Sequence, residues 1–430
     1  MQVLSTLLLI ILTLSIERSL YRIIYNYQES ERKSFVASVF TGSILITGGL
    51  SALSLLLEEV FVLAFPSIPF YPYYALVIAS ILPVTIITVF KAYAQVTERP
   101  LRFTVATSLH LLLLAGFMLY FVIGRGMGAY GYLLGSLIGS VLISIPLAAA
   151  MLLDVGLSFR VRFLKPALLF SIPIMPTLLS SFVLNLSDRV FIDNYFSLSE
   201  LGVYSLGSKL ASVIKIAGSS FLMAYVPLFY RLANTKSKEE ASGELKLYGT
   251  FFVCILAVIT LSLYLFSAPI LELLFPPEYQ GALPYLRFFC VSMAVGQFCG
   301  LLNVMIYQAE KTHLVSLIVV IAAVANVILN YTMLPVYGAI AAVWTSLICN
   351  VVIVMLTFCQ ARKYYYVDLP WSSIASFLIC LGLVVAFVAN VETLDWKYFM
   401  VWVLMLAGVG GVVWRTVKQI GLKSAGKTTA

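Results

Sequence analysis

Apolar stretches of about twenty residues, broken only by short polar connections, recur from one end of this chain to the other. A helix of roughly 20 apolar residues crosses the hydrocarbon core of a bilayer, and only helices or closed barrels satisfy their backbone groups there. Period-two alternation is nowhere visible, which excludes a β-barrel. The chain therefore reads as an all-α polytopic membrane protein. Composition agrees, with 61% of the 430 residues hydrophobic and 11% charged, whereas a soluble domain carries roughly a quarter charged residues. A formal net charge of +8 would suggest nucleic acid as the partner of a soluble protein. Here its distribution reports topology instead, and no nucleic-acid partner is expected.

Thirteen transmembrane spans are predicted, at about 3–24, 36–57, 72–91, 102–124, 129–152, 164–188, 200–230, 247–268, 283–308, 313–332, 338–360, 371–390 and 397–415. The longest connections, 58–71 and 231–246, leave no room for a soluble domain. The N-terminus lacks a basic n-region and a small-residue cleavage site, so it reads as a first span and not a signal peptide. Basic residues alternate between connections. Twenty, among them Arg22, Arg32, Arg99, Arg162, Lys236, Lys311 and Lys418, fall on one side; Arg125, Arg189, Arg287 and Lys397 fall on the other. Positive residues stay inside, so the C-terminus is predicted cytoplasmic and, with an odd number of spans, Met1 outside.

An internal repeat organises these spans. Gly128-Ala129 and Ser136-Leu137-Ile138 recur as Gly338-Ala339 and Ser346-Leu347-Ile348 at an offset of 210, and Tyr21-Arg22 recurs as Tyr230-Arg231 at an offset of 209. Two pseudo-symmetric bundles in the same orientation are the signature of a parallel-repeat transporter. The partner of the span at 164–188 would lie before Met1. The expected organisation is thus a five-helix bundle over 1–155 lacking its first helix, a six-helix bundle over 156–363, and two further helices with a cytoplasmic tail over 364–430.

Chemistry concentrates on the seventh span. At 100° per residue, Ser205, Ser208, Lys209, Ser212, Lys215, Ile216, Ser219 and Ser220 share an arc of about 140°, and all but Ile216 are polar. Serines serve equally as packing residues between membrane helices. A mid-span lysine, which does not snorkel easily, calls for a water-filled cavity or a carboxylate partner. Glu17 and Arg18 lie near the cytoplasmic end of the first span, where Arg18 either reaches the headgroups or joins the cavity. Asp188-Arg189 are read as closing the sixth span, as an interfacial cap or a ligand site. His110 is read as bonded to a neighbouring helix in preference to relaying protons. Pro173, Pro176 and Pro227 mark bending points, and Asn326 and Asn330, one turn apart, can bond across helices. The six cysteines lie in apolar runs without metal-ligand or disulfide spacing. There is no Walker loop, no Ser/His/Asp constellation and no carboxylate pair on a loop. No metal, no cofactor and no enzymatic activity are expected.

The segments Phe170-Ser-Ile-Pro-Ile-Met-Pro176, Asn185-Leu-Ser-Asp188-Arg189, Leu201-Gly-Val-Tyr-Ser205 and Ser208-Lys209-Leu210 resemble the central signature of bacterial oligosaccharide flippases. These form the polysaccharide transport family of the multidrug/oligosaccharidyl-lipid/polysaccharide (MOP) exporter superfamily. Phe275-Pro-Pro-Glu-Tyr279, Asn326 through Tyr331 and Pro335 through Ala339 extend the likeness over nearly the whole chain. The resemblance implies a MATE/MOP-like fold of 12 or 14 helices starting one helix earlier. It also implies translocation of an undecaprenyl-pyrophosphate-linked oligosaccharide across the bacterial inner membrane, for O-antigen, capsule or exopolysaccharide assembly. H+ or Na+ is the implied coupling ion, and a polysaccharide polymerase and chain-length proteins are the implied partners. Lys209, Lys215, Ser205, Ser208, Ser212 and Arg18 are then the candidate substrate residues, and Glu17, Asp188, Arg189, Pro173 and Pro176 the candidate coupling or gating residues. A multidrug cation antiporter of the same superfamily is the alternative; it would want cavity carboxylates, and Glu17 and Asp188 are expected at helix ends. A membrane polymerase or glycosyltransferase would need a catalytic extramembrane loop that the chain does not have.

Overall fold

The computed structural model describes residues 2–56, 69–309, 311–364, 367–389 and 399–411, and every regular element among them is helical. The connection at 57–68 and the basic residues Lys397, Arg415, Lys418, Lys423 and Lys427 lie outside the described residues. Helices α1 (Gln2–Thr13), α2 (Glu29–Ser54), α3 (Ala75–Val96), α4 (Pro100–Leu119), α5 (Gly128–Val155) and α6 (Val161–Ser171) are followed by α7 (Met175–Tyr195) and α8 (Leu198–Thr235). Then come α9 (Lys238–Leu265), α10 (Ser267–Leu274), α11 (Ala282–Gln308), α12 (Thr312–Tyr337), α13 (Ala341–Tyr364) and α14 (Trp371–Ala389).

Among the described residues, ten helical stretches are long and apolar enough to cross a membrane. Three shorter apolar helices, Leu4–Thr13, Trp371–Phe387 and Phe399–Gly411, fall where the other three of the thirteen expected spans were placed. The expected span at 3–24 is not one helix. It stops at Thr13, because the Thr13 hydroxyl bonds the Leu9 carbonyl and also accepts the Ser15 amide, a local alternative to the helical ladder. Leu14 and Ser15 then take left-handed backbone conformations (φ 49° and 48°), and short helical turns carry the chain from Ile16 to Asn26. The expected span at 164–188 is likewise two helices, α6 and α7, joined by a 3₁₀ turn over Ile172–Ile174 that contains Pro173. Proline supplies no amide and crowds the preceding turn, whereas Pro176 stands in the first turn of α7, where a missing amide is harmless.

The chain divides into two units, Met1–Phe182 and Val183–Ala430. This division falls later than the expected boundary after residue 155. The reason lies in α6, whose Phe163, Leu164 and Ala167 are buried in the first unit's core with Ile16, Phe35 and Val39. Helix α14 packs on α9, so the expected separate region from 364 starts within the second unit.

Each unit repeats one packing scheme. In the first, α3 contacts α1, α2, α4 and α5, and α4 lies along α5; in the second, α11 contacts α8, α9, α12 and α13, and α12 lies along α13. The sequence repeat thus has a packing counterpart, helix for helix. Its shared Gly-Ala pair also has a backbone role, since Gly128 (φ 54°) opens α5 and Gly338 (φ 80°) precedes α13. A left-handed conformation there favours glycine. Small residues let the paired helices approach closely: a methyl group on Gly135 of α5 would lie 2.7 Å from the Met118 backbone of α4.

Candidate functional site

Helix α8 begins at a capped N-terminus, with the Ser197 hydroxyl accepting the Glu200 amide. Its 38 residues extend about 57 Å at 1.5 Å per residue, well beyond the roughly 30 Å hydrocarbon core. One face is packed: Tyr204, Gly207, Ala211, Ile214, Gly218 and Tyr225 are buried, and Gly207 meets the α11 backbone so closely that a Cβ would lie 2.9 Å from the Leu286 nitrogen. The opposite arc is the predicted polar one. Lys209, Ile216, Ser219 and Ser220 are exposed, and Ser205, Ser208, Ser212 and Lys215 half-buried. Apolar Val213 and Met223 of the same helix, outside that arc, are exposed as well.

Helix α7 lies beside this arc and carries its charge partners. Asp188 was expected at a helix end, but α7 runs on to Tyr195, so the carboxylate sits inside the helix and is buried. The Tyr204 hydroxyl of α8 donates to its Oδ2, and its Oδ1 accepts the Arg189 amide. The fully buried Tyr204 ring is held edge-on by Tyr285 and Phe289, at centroid distances of 5.4 and 5.1 Å. The Tyr285 hydroxyl donates in turn to Glu200. Beyond this buried pair, the Arg189 guanidinium donates to the Ser208 hydroxyl (3.1 Å) and to the Asn185 carbonyl (3.3 Å), while the Lys215 ammonium donates to Asn185 Oδ1 (2.7 Å).

The structure thus joins Asp188, Arg189, Ser208 and Lys215 in one network and leaves Lys209, Ser205 and Ser212 outside it. Among the described residues the Lys209 ammonium has no carboxylate within 4.0 Å. The Ser212 hydroxyl turns back to the Lys209 carbonyl, and Ser219 bonds carbonyls of its own helix. Glu17 and Arg18 belong to the first unit, in the turn at Ile16–Ser19, where Arg18 is exposed. Asn185 and Tyr204 stand in the segments that carry the resemblance but were given no role there, and Glu200 and Tyr285 were not singled out at all. Asn185, Asp188 and Arg189 stand three and four residues apart, the spacing that puts side chains on one helical face, and Tyr204 lies one turn before Ser208; that was the available signal.

Two other expected polar contacts are present. His110 Nε2 lies 3.3 Å from the Ser140 hydroxyl of the neighbouring α5. Asn326 and Asn330 bond each other, with Ser187 of α7 donating to Asn326 and Thr345 of α13 to Asn330. The described cysteines are all free thiols. No cluster of three His, Cys, Asp or Glu residues able to hold a metal occurs among the described residues.

A family profile described as "Polysaccharide biosynthesis protein" matches residues 1–233, and the MatE profile matches residues 173–332. A Haemophilus influenzae protein of the Lsg locus is 25% identical over 143 residues, a match spanning 33% of this chain and 35% of the relative's length. In fold, the chain is similar to the lipid II flippase MurJ in an inward closed conformation, with a TM-score of 0.76 at 13% identity, covering 96% of this chain and 92% of that one. It is also similar to the MATE transporter VcmN of Vibrio cholerae, with a TM-score of 0.59 at 16% identity over 84% and 85% of the two chains. At these identities the two structures speak to fold alone.

Proposed function

Because the chain belongs to the polysaccharide biosynthesis protein family, within the MOP exporter superfamily, and is a multi-pass membrane transporter and not an enzyme, we propose that it flips a lipid-linked oligosaccharide across the bacterial inner membrane. The substrate in this reading is an undecaprenyl-pyrophosphate-linked repeat unit, delivered for O-antigen, capsule or exopolysaccharide assembly. The observation that carries it is the exposed Lys209 ammonium, without a carboxylate partner among the described residues, on the helix α8 that also carries Lys215. A pyrophosphate taken out of water is costly without cationic partners. A lysine facing lipid at mid-bilayer itself costs about 2.5–3.5 kcal/mol, so the arc is better placed along an aqueous path.

Lys209 makes the direct contact to the headgroup in this mechanism. Lys215 and Arg189 are held in place by Asn185 and Ser208 and supply a second tier of positive charge. Ser205, Ser208 and Ser212 offer hydroxyls along the same arc; Arg18, in the first unit, is a separate candidate cation. Asp188 and Arg189, with Glu17, are the candidates for coupling to H+ or Na+, and the break at Pro173 with Pro176 is the candidate bending point. A polymerase and chain-length proteins would receive the product.

The MatE match over 173–332 favours multidrug cation export as a second reading. Against it, Asp188 is buried and already engaged by Tyr204, so this carboxylate does not face a cationic drug. The test is complementation of a flippase-null strain. The unaltered chain should restore surface polysaccharide, and Lys209→Ala should not, at equal membrane abundance. Normal polymer from Lys209→Ala would remove the headgroup role of this lysine, and failure of the unaltered chain together with conferred drug resistance would favour the second reading.

A further inference from the structure

Far from α8 in sequence, the first unit holds an open cavity of about 480 Å³ lined by Tyr21, Tyr25, Gln95, Glu98, Arg99 and Phe103. That volume lies in the range of roughly 300–1,000 Å³ occupied by small-molecule sites. We propose that this cavity binds an uncharged sugar ring, as a docking subsite for the glycan part of the substrate; this rests on the flippase reading above.

The lining is built from two parts of the chain that one hydrogen bond joins. The turns after α1 supply Tyr21 and Tyr25, and the hinge between α3 and α4 supplies the rest. The Tyr21 hydroxyl donates to Gln95 Oε1 at 2.7 Å, which orients the amide and leaves its two N–H donors available. Tyr25 is 61% exposed, and the Arg32 guanidinium stands 5.8 Å from its ring centroid. Two exposed tyrosines, with a phenyl edge from Phe103, offer flat apolar faces that suit the C–H face of a pyranose. Their hydroxyls, the Gln95 amide and the Glu98 carboxylate suit the ring of hydroxyls around it.

The Arg99 guanidinium is 2.6 Å from Asp154 and lies over Tyr93, and Arg102 shares the same carboxylate. Two guanidiniums share that one carboxylate, so the group keeps one positive charge, and the Glu98 carboxylate on the rim offsets it. Glu98 is also held in a left-handed conformation (φ 52°) at the end of α3. Its amide bonds the Gln95 carbonyl while the Arg99 amide bonds that of Ala94. Glycine is the usual residue at this position of a helix terminus, so a carboxylate is presented here against the backbone preference, the kind of outlier that clusters at ligand sites. The basic residues of both segments, Arg22, Arg32, Arg99 and Arg102, belong to the set that the charge rule assigns to the cytoplasm, the side from which the glycan would arrive.

The test is saturation-transfer NMR on the purified full chain with glucose, galactose, N-acetylglucosamine and rhamnose, each offered singly at millimolar concentration. At least one sugar should receive transfer, and Tyr25→Ala and Gln95→Ala should each cut it by about fivefold or more, the effect of truncating an anchoring contact. Tyr21→Phe, which removes one hydroxyl from an exposed ring, carries the test if either truncation fails to accumulate. No transfer to any of the four sugars, or transfer unchanged in the variants, overturns the proposal. So does a loss of membrane-inserted protein with Tyr25→Ala while transfer persists, which would make the tyrosines interfacial anchors. Complementation by the unaltered chain is read separately. If it fails while sugar transfer holds, the flippase reading falls and the cavity stands; if it succeeds while transfer is absent, the cavity proposal alone falls.

Discussion

Lys209 and Lys215 occupy the same arc of one helix, yet their surroundings separate them. Lys215 is anchored on Asn185, whereas Lys209 is exposed and has no carboxylate partner among the described residues. Substrate is therefore expected to meet Lys209 first, and transport should rank Lys209→Ala below Lys215→Ala, with Lys209→Arg partly active; surface polymer per unit of protein measures the order. Asp188 makes a different prediction. Tyr204→Phe strips the buried carboxylate of a hydrogen bond and should cost about 1–3 kcal/mol, read as a lower unfolding temperature in detergent. Asp188→Asn removes the charge and one of the two acceptors, so either the Tyr204 hydroxyl or the Arg189 amide loses its partner. It should still reach the membrane, and if Asp188 takes part in coupling, it should do so without transporting.

At the scale of elements, contacts between helices depend on small residues and breaks depend on proline. Gly207 lets α8 lie against the α11 backbone, and an added Cβ meets main chain and the Tyr285 Cβ, not a yielding side-chain tip. Gly207→Val should therefore cost about 1–3 kcal/mol as overpacking, seen as reduced membrane abundance, while a valine at Gly202, with open space around it, should be tolerated. The 3₁₀ turn at Ile172–Ile174 offers a second test. Replacing Pro173 by alanine restores the missing amide, so α6 and α7 should become more continuous. Protein levels should hold while transport slows, and normal transport would show that bending there is not part of the cycle.

For the molecule as a whole, the charge asymmetry yields a topology that labelling can check. In a cysteine-free background, Lys236→Cys should react with a membrane-impermeant thiol reagent only from the cytoplasmic side, and Arg125→Cys only from the outside. The reverse pattern would invert the orientation and place the sugar cavity at the exit. The two units each carry the same helix-on-helix scheme. The division between them at Phe182 instead of residue 155 shows that a repeat unit and a packing unit need not share a boundary.

Apolar run length determined the class and the places of most helical stretches, because a bilayer imposes its thickness on every helix regardless of which neighbours that helix finds. Periodicity likewise exposed the polar arc of α8, since burial follows the helical wheel. What that reasoning missed depended on partners distant in sequence. Nothing in Tyr204 itself announces that its hydroxyl reaches Asp188, and nothing in Asn185 announces that it holds Lys215. The first span looked continuous because apolar content says little about a hydroxyl that caps its own helix at Thr13. The Tyr21–Gln95 bond and the cavity it braces join segments 74 residues apart. Hydropathy acts on each span singly and is legible along the chain; hydrogen bonds and cavities between helices arise only once packing brings those spans together, and that was for the tertiary structure to decide.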